Sequence, residues 1–193
     1  MVGRPKEFDR EDVVAKAMDV FWTNGYEATS LEDLTGAMGI GRGSLYNEFG
    51  DKHSLFVEAL DHYRLERFVQ FRAVADEAPS ARAGIEALFR RTVDRLWAED
   101  PRRGCLLVNS AAELGATDPD VAARAKQSFD RFSELFRSAL ERGQREGDVD
   151  PALDVQVASR YLAGSFLGLR LLAKVTDARS AVDVVEVTLR ALD

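Results

Sequence analysis

The stretch Ser30–Lys52, SLEDLTGAMGIGRGSLYNEFGDK, decides the fold, because it reads as two short helices hinged at a tight turn. Ser30 and Asp33 make an S-x-x-D capping box, in which each side chain satisfies an N–H that a helix start leaves unpaired. Leu31, Leu34 and Met38 recur at helical spacing, and Gly39 follows the last of them, where a positive φ stops a helix at little cost. The second helix, predicted over Arg42–Phe49, turns Leu45 and Phe49 inward and Arg42, Ser44 and Asn47 outward. A short helix with polar donors on its outer face, held to a partner by a glycine turn, has the form of a helix-turn-helix that reads DNA.

Working outward, Asp9–Asn24 is predicted as a helix whose Val13, Val14, Ala17, Met18, Val20 and Phe21 form a wide apolar stripe ending at Gly25. Before it, Gly3-Arg4-Pro5-Lys6 is a short basic arm of the kind that enters an A·T minor groove. After Gly50-Asp51 a long helix starts near Lys52 or His53 and runs to a break at Pro79. Further helices are predicted over Ser80–Glu99, from Cys105 to Gly115 and from Asp118 to about Gly143. Another starts at Asp150-Pro151, with the proline in its first turn, and the last spans Ser180–Leu192. The sum is an all-α chain of about nine helices with no strand pattern. Three N-terminal helices (residues 1–52) form a helix-turn-helix domain, which a long helix joins to a larger C-terminal helical domain (53–193).

Composition narrows the classes. The 193 residues are 46% hydrophobic and 31% charged, with five prolines, as in an ordinary globular helical chain. No apolar run reaches the ~18 residues of a membrane span, and the first residues lack an apolar signal core, so a cytoplasmic location and no membrane partner are expected. A single cysteine, Cys105, excludes an internal disulfide. Cys105, His53 and His62 show no metal-ligand spacing, so neither metal nor cofactor is expected. The net charge is −7, and residues 1–52 hold six Lys/Arg against ten Asp/Glu. A non-specific electrostatic DNA binder does not look like this. Any grip on DNA must come from placed cations such as Arg4, Lys6, Arg42 and Lys52, with Glu11, Asp12 and Asp19 of the first helix facing away.

The chain resembles the TetR family of bacterial transcriptional regulators. The match is carried by Phe21, the junction Asn24-Gly25-Tyr26-Glu27-Ala28-Thr29-Ser30, Leu34, Gly39-Ile40, Gly43-Ser44-Leu45-Tyr46, Phe49, Lys52 and Leu55. It covers roughly the first 60 residues, the remainder agreeing only in architecture. The resemblance implies an Ω-shaped homodimer, paired through its last two helices, that reads a palindromic double-stranded operator and answers an unknown small-molecule effector. Carried over residue by residue, it implies phosphate contacts from Thr29, Ser30, Tyr46 and Lys52. Arg42, Ser44 and Asn47 would enter the major groove, and Gly43 would let the backbone come close. Arg42 suits guanine O6/N7 and Asn47 adenine N6/N7. Three positions depart from the pattern: Gly41 as a cap, Gly36 within a helix, and Glu48, which either reads a cytosine amino group or points aside.

For the effector, the phenylalanine-rich C-terminal helices suggest a pocket among Phe68, Phe71, Phe89, Trp97, Cys105, Asn109, Phe129 and Phe132, suited to a cationic or lipophilic ligand. Cys105 opens a helix behind Arg102-Arg103-Gly104, a setting that favours thiolate. It reads either as a sensor of oxidants and electrophiles or as a small core residue. An enzyme with Cys105 as nucleophile lacks a histidine partner, since both histidines lie near the N-terminal unit. A helical adaptor without DNA binding is kept open by the acidic head.

Overall fold

The computed structural model describes residues 8–98 and 101–192. The basic arm, with Arg4 and Lys6, lies outside the described residues. Among these residues the chain forms α1 (Arg10–Asn24), α2 (Leu31–Met38), α3 (Arg42–Phe49), α4 (Lys52–Asp76), α5 (Ala81–Ala98), α6 (Leu106–Leu114), α7 (Pro119–Glu146), α8 (Val155–Leu172) and α9 (Ala178–Arg190). One turn of 3-10 helix, Pro101–Arg103, stands between α5 and α6, and the described residues contain no strand.

Local chemistry sets most of these boundaries. Ser30 Oγ accepts the Asp33 N–H at 3.1 Å while Asp33 Oδ2 accepts the Ser30 N–H at 2.8 Å, closing the capping box. Asp9, Asp51, Asp118, Asp154 and Asp177 cap five other helices through their carboxylates. Such caps stabilise a helix by ~1 kcal/mol each. Gly39 ends α2 in the left-handed region at φ 69°.

Two boundaries differ from the sequence reading. Helix α7 passes through Gly143 and stops at Gly147, which takes the left-handed conformation at φ 84°. Gly143 is there for space, since a Cβ on it would run into the side chains of Val149 and Asp148. Pro151 does not start α8; it sits in a turn, and Asp154 caps the helix by accepting the Val157 N–H at 3.1 Å.

The apolar side chains collect in two clusters. In the first, α1–α3 close over the start of α4, with Phe21, Leu34, Leu45, Leu55, Phe56 and Leu60 buried together. Cys105, Leu106, Leu107 and Leu114 around α6, and Val121 of α7, complete it, so the head rests on residues well beyond Lys52. The second cluster centres on Phe166, whose ring lies 5.1–5.8 Å from those of Phe71, Phe89, Phe132 and Phe136. Outside both clusters, α8 carries an uncovered stripe of Val157, Tyr161 and Leu171, exposed at 61%, 46% and 50%. Gly164 and Gly168 lie within that stripe, and a Cβ on either would meet nothing within 4 Å. Among the described residues no helix is long and apolar enough to cross a membrane.

Candidate functional site

Helix α3 presents its outer face as expected. Leu45 and Phe49 are buried, whereas Arg42, Gly43, Ser44, Tyr46 and Asn47 are exposed. The side chains of Ser44, Tyr46 and Asn47 make no hydrogen bond to another described residue. Arg42 donates to Glu32 Oε1 at 2.9 Å across the turn, with both side chains largely in solvent. Exposed pairs of this kind contribute ~0–1 kcal/mol, so Arg42 changes partner at little cost. Lys52 stands over the Tyr26 ring, its Nζ 4.4 Å from the centroid. Gly43 has no positive φ, and a Cβ there would meet nothing within 4 Å, so nothing in the chain itself asks for glycine.

Thr29 is placed differently from the expectation, and Glu48 takes one of the two placements left open for it. Thr29 is 2% exposed and its hydroxyl donates to the Gly25 carbonyl at 2.5 Å, holding the α1–α2 turn from inside instead of facing outward. Glu48 turns aside toward α1, where it accepts from Arg10 Nε at 2.8 Å. Arg10 also forks onto Glu58 of α4, tying α1, α3 and α4 together. Two of the three acids of α1 are likewise committed, Asp12 to Lys16 at 2.7 Å and Asp19 to Arg103 at 2.6 Å.

Asp19 leads to the second region. Arg103, in the 3-10 turn, donates to Asp19 Oδ1 and lies over the Trp22 ring at 4.0 Å, while its carbonyl accepts from Trp22 Nε1 at 3.1 Å. Behind this clamp, between α4, α5 and α8, lies a cavity of about 440 Å³. Trp22, Tyr63 and Phe71 form aromatic wall, and Arg67, Arg103 and Arg170 bring guanidinium groups to it. A narrower crevice adjoins it, sharing Tyr63, Arg67, Phe71 and Arg170.

Of the pocket residues expected from sequence, Phe71 lines both spaces, and Phe68, Cys105 and Phe132 line the crevice. Phe89 is fully buried core, and Trp97 and Phe129 pack against the second cluster. Asn109 braces the clamp from outside, donating to the Arg103 carbonyl at 2.9 Å and accepting from Lys174 at 3.1 Å. Cys105 is 2% exposed, and its sulfur receives the Tyr63 hydroxyl at 3.3 Å. Burial, then the adjacent Cys105, pushes that phenol well above its usual range, so it remains a donor.

The sequence reading missed Trp22, Tyr63, Arg67, Thr92, Arg103 and Arg170 as lining residues. A signal existed: Tyr63, Arg67 and Val74 share one stripe of α4, and Arg170 interrupts the buried stripe of α8 formed by Leu162, Phe166 and Leu169. A cation in an apolar stripe is a pocket marker once the stripe is known to face inward. Sequence spacing also hid a grouping of His53, Asp118 and Asp120, whose ligand atoms lie within 4.8 Å of one another. There Asp118 caps α7 and sits 2.8 Å from His53 Nε2.

Comparison with known proteins follows this geometry. Residues 13–59 match the model of bacterial regulatory proteins of the tetR family, and residues 81–189 match that of the tetracyclin repressor-like C-terminal domain. The chain is 34% identical over its whole length, and the whole of the relative, to the uncharacterized HTH-type transcriptional regulator YezE of Bacillus subtilis. It is 32% identical to the HTH-type transcriptional repressor ComR of Escherichia coli, covering 89% of this chain and 82% of that one. Among solved structures, a cysteine mutant of the TetR family transcriptional regulator CifR, complexed with 26-bp double-strand operator DNA, superposes with a TM-score of 0.85. It has 40% identity over 98% of this chain and 100% of that chain.

Proposed function

The chain belongs to the TetR family, whose members are transcriptional regulators and not enzymes, and from that premise we propose that it is a homodimeric repressor released from its operator by a small-molecule effector. The observation that carries the ligand-responsive half is that reading head and cavity share residues. Trp22 belongs to α1 and forms cavity wall, and Arg103 joins that wall to Asp19 of α1. Glu113 of α6 adds a second tie, accepting the Tyr26 and Glu27 N–H groups at 3.1 and 2.9 Å. A ligand that moves Trp22 or Arg103 therefore moves the base of the head, and its differential affinity for two head positions appears as lost DNA affinity.

For DNA, Arg42, Ser44 and Asn47 of α3 read the major groove, with Tyr46, Lys52 and the Ser30 end of α2 on phosphates. Gly43 fits this face, since its open side leaves room for a close external partner. Thr29 acts from beneath, by fixing the turn. Pairing of α8 and α9 with their symmetry mates is supported by the stripe around Val157, Tyr161 and Leu171, joined by Val187 of α9 at 59% exposed, and by the two unfilled glycines between them. Helices approach closely where such small residues line the contact.

The test is a titration of the protein against the DNA upstream of its own coding sequence at two salt concentrations. A salt-sensitive, sequence-specific complex is expected, and its absence would favour the adaptor reading. Arg103→Gln, remote from α3, should weaken that complex by ~0.5–2 kcal/mol by loosening the head. Unchanged affinity would break the proposed coupling.

A further inference from the structure

Five guanidinium groups line the cavity, from Arg67, Arg91, Arg95, Arg103 and Arg170, and no Asp or Glu is among the described lining residues. Some have polar company. Arg67 and Arg95 both donate to Gln70 Oε1, at 3.0 and 3.1 Å, and Arg103 is held by Asp19. Arg170 is different. It is 6% exposed, its guanidinium lies 4.6 and 4.9 Å from the Phe71 and Phe166 ring centroids, and no carboxylate pairs with it among the described residues. Its Nε has no hydrogen-bond partner, and neither do two other buried atoms of the same lining, Thr92 Oγ1 and Arg103 Nε.

A guanidinium withdrawn from water is costly unless a counter-charge or a full set of acceptors faces it, and ring faces offset only part of that. Among the described lining residues every charged group is a donor of the same sign, so a cation would be repelled there and a neutral molecule would leave Arg170 unpaired. Trp22, Tyr63 and Leu88 of the same lining offer apolar surface. Resting on the ligand-responsive reading above, we propose that the effector is an organic anion, a single compact acidic group on an apolar, ring-sized body, with its charge met by Arg170 and its body held against Trp22 and Phe71. Of the cationic and lipophilic ligands expected from the sequence, this keeps the apolar body and replaces the positive charge with a negative one. Because arriving oxygens would also reach Arg103, they compete with Asp19 for it and loosen the clamp on α1.

Phenylbutyrate and phenylbutanol share a body and differ at the charged end, and titration of the whole protein with each decides the matter. Phenylbutyrate should bind at least about tenfold more tightly, and Arg170→Met should remove that advantage while leaving phenylbutanol unchanged. Equal affinities, or an advantage that survives Arg170→Met, would overturn the proposal. If that variant does not fold, Arg91→Met at the exposed rim should shrink the advantage about threefold, and an unchanged advantage counts against the anion. Inorganic sulfate competing as well as phenylbutyrate would reduce the site to an ion hole without a body and also overturn it. Release of DNA by phenylbutanol but not phenylbutyrate would sink the anion while sparing ligand response. Tight phenylbutyrate binding without DNA release would do the reverse.

Discussion

Arg42 on the reading face and Arg170 in the cavity are the same side chain in opposite surroundings. Arg42 is 58% exposed and holds Glu32, itself 81% exposed, in a pair that water already screens. Arg170 is 6% exposed, lies against two phenyl rings and pairs with no carboxylate among the described residues. The first can be handed from an internal partner to a phosphate or base at little cost. The second stores an unmet demand for negative charge. An acidic head can thus still read DNA through a few releasable cations, while an aromatic-rich body can still select by charge.

The largest effect that bears on this contrast belongs to the frame behind Arg170. Phe166→Ala should cost ~3–5 kcal/mol in chemical denaturation, because four rings pack on it and the void cannot close. Next, Arg42→Ala should lose ~1–3 kcal/mol of operator affinity with stability changed by less than ~0.5 kcal/mol. A stability loss as large as the affinity loss would mean that the Glu32 pair matters to folding and that the head is not as loosely held as described. Third, Arg170→Met should leave stability unchanged or raise it by ~1 kcal/mol, since replacing a buried, unpaired charge with apolar surface relieves desolvation. A marked loss would show that the ring contacts already satisfy the guanidinium, which would erase the contrast with Arg42.

The smallest effect concerns the joint between the two regions. Asp118 is held below the usual carboxylate range: burial works against this, but the N–H of Val121, then His53, outweigh it. With the folded value depressed, its contribution is complete above the unfolded value of ~4 and is lost as pH falls through the folded value. Asp118→Asn should therefore flatten that part of the acid limb of the stability curve, and a superimposable acid limb would contradict the assignment.

Residues close in sequence were the ones that could be read. The Ser30–Asp33 box, the Gly39 stop and the Leu45–Phe49 face of α3 follow from spacing, since capping and helical periodicity act within a turn or two. The same reasoning stopped α7 too early at Gly143, which makes room for Val149 just past the helix end, and misplaced Pro151, which sits in a turn. The exposed face of α3 was also legible, whereas the inward turn of Thr29, which bonds back to Gly25, was not, and Arg10 selects the sideways one of the two placements left open for Glu48.

The sequence by itself determined the helical class, the head and the outward set Arg42, Ser44 and Asn47. Tertiary structure alone decided that Trp22 of α1 walls a cavity shared with α4, α5 and α8, that Arg103 reaches Asp19 across 84 residues, and that Arg170 is buried with no carboxylate among the described residues. The reason is physical: a cap or a helix face is set by short-range hydrogen bonds and periodicity, but the solvation of a charge depends on every segment that folds around it.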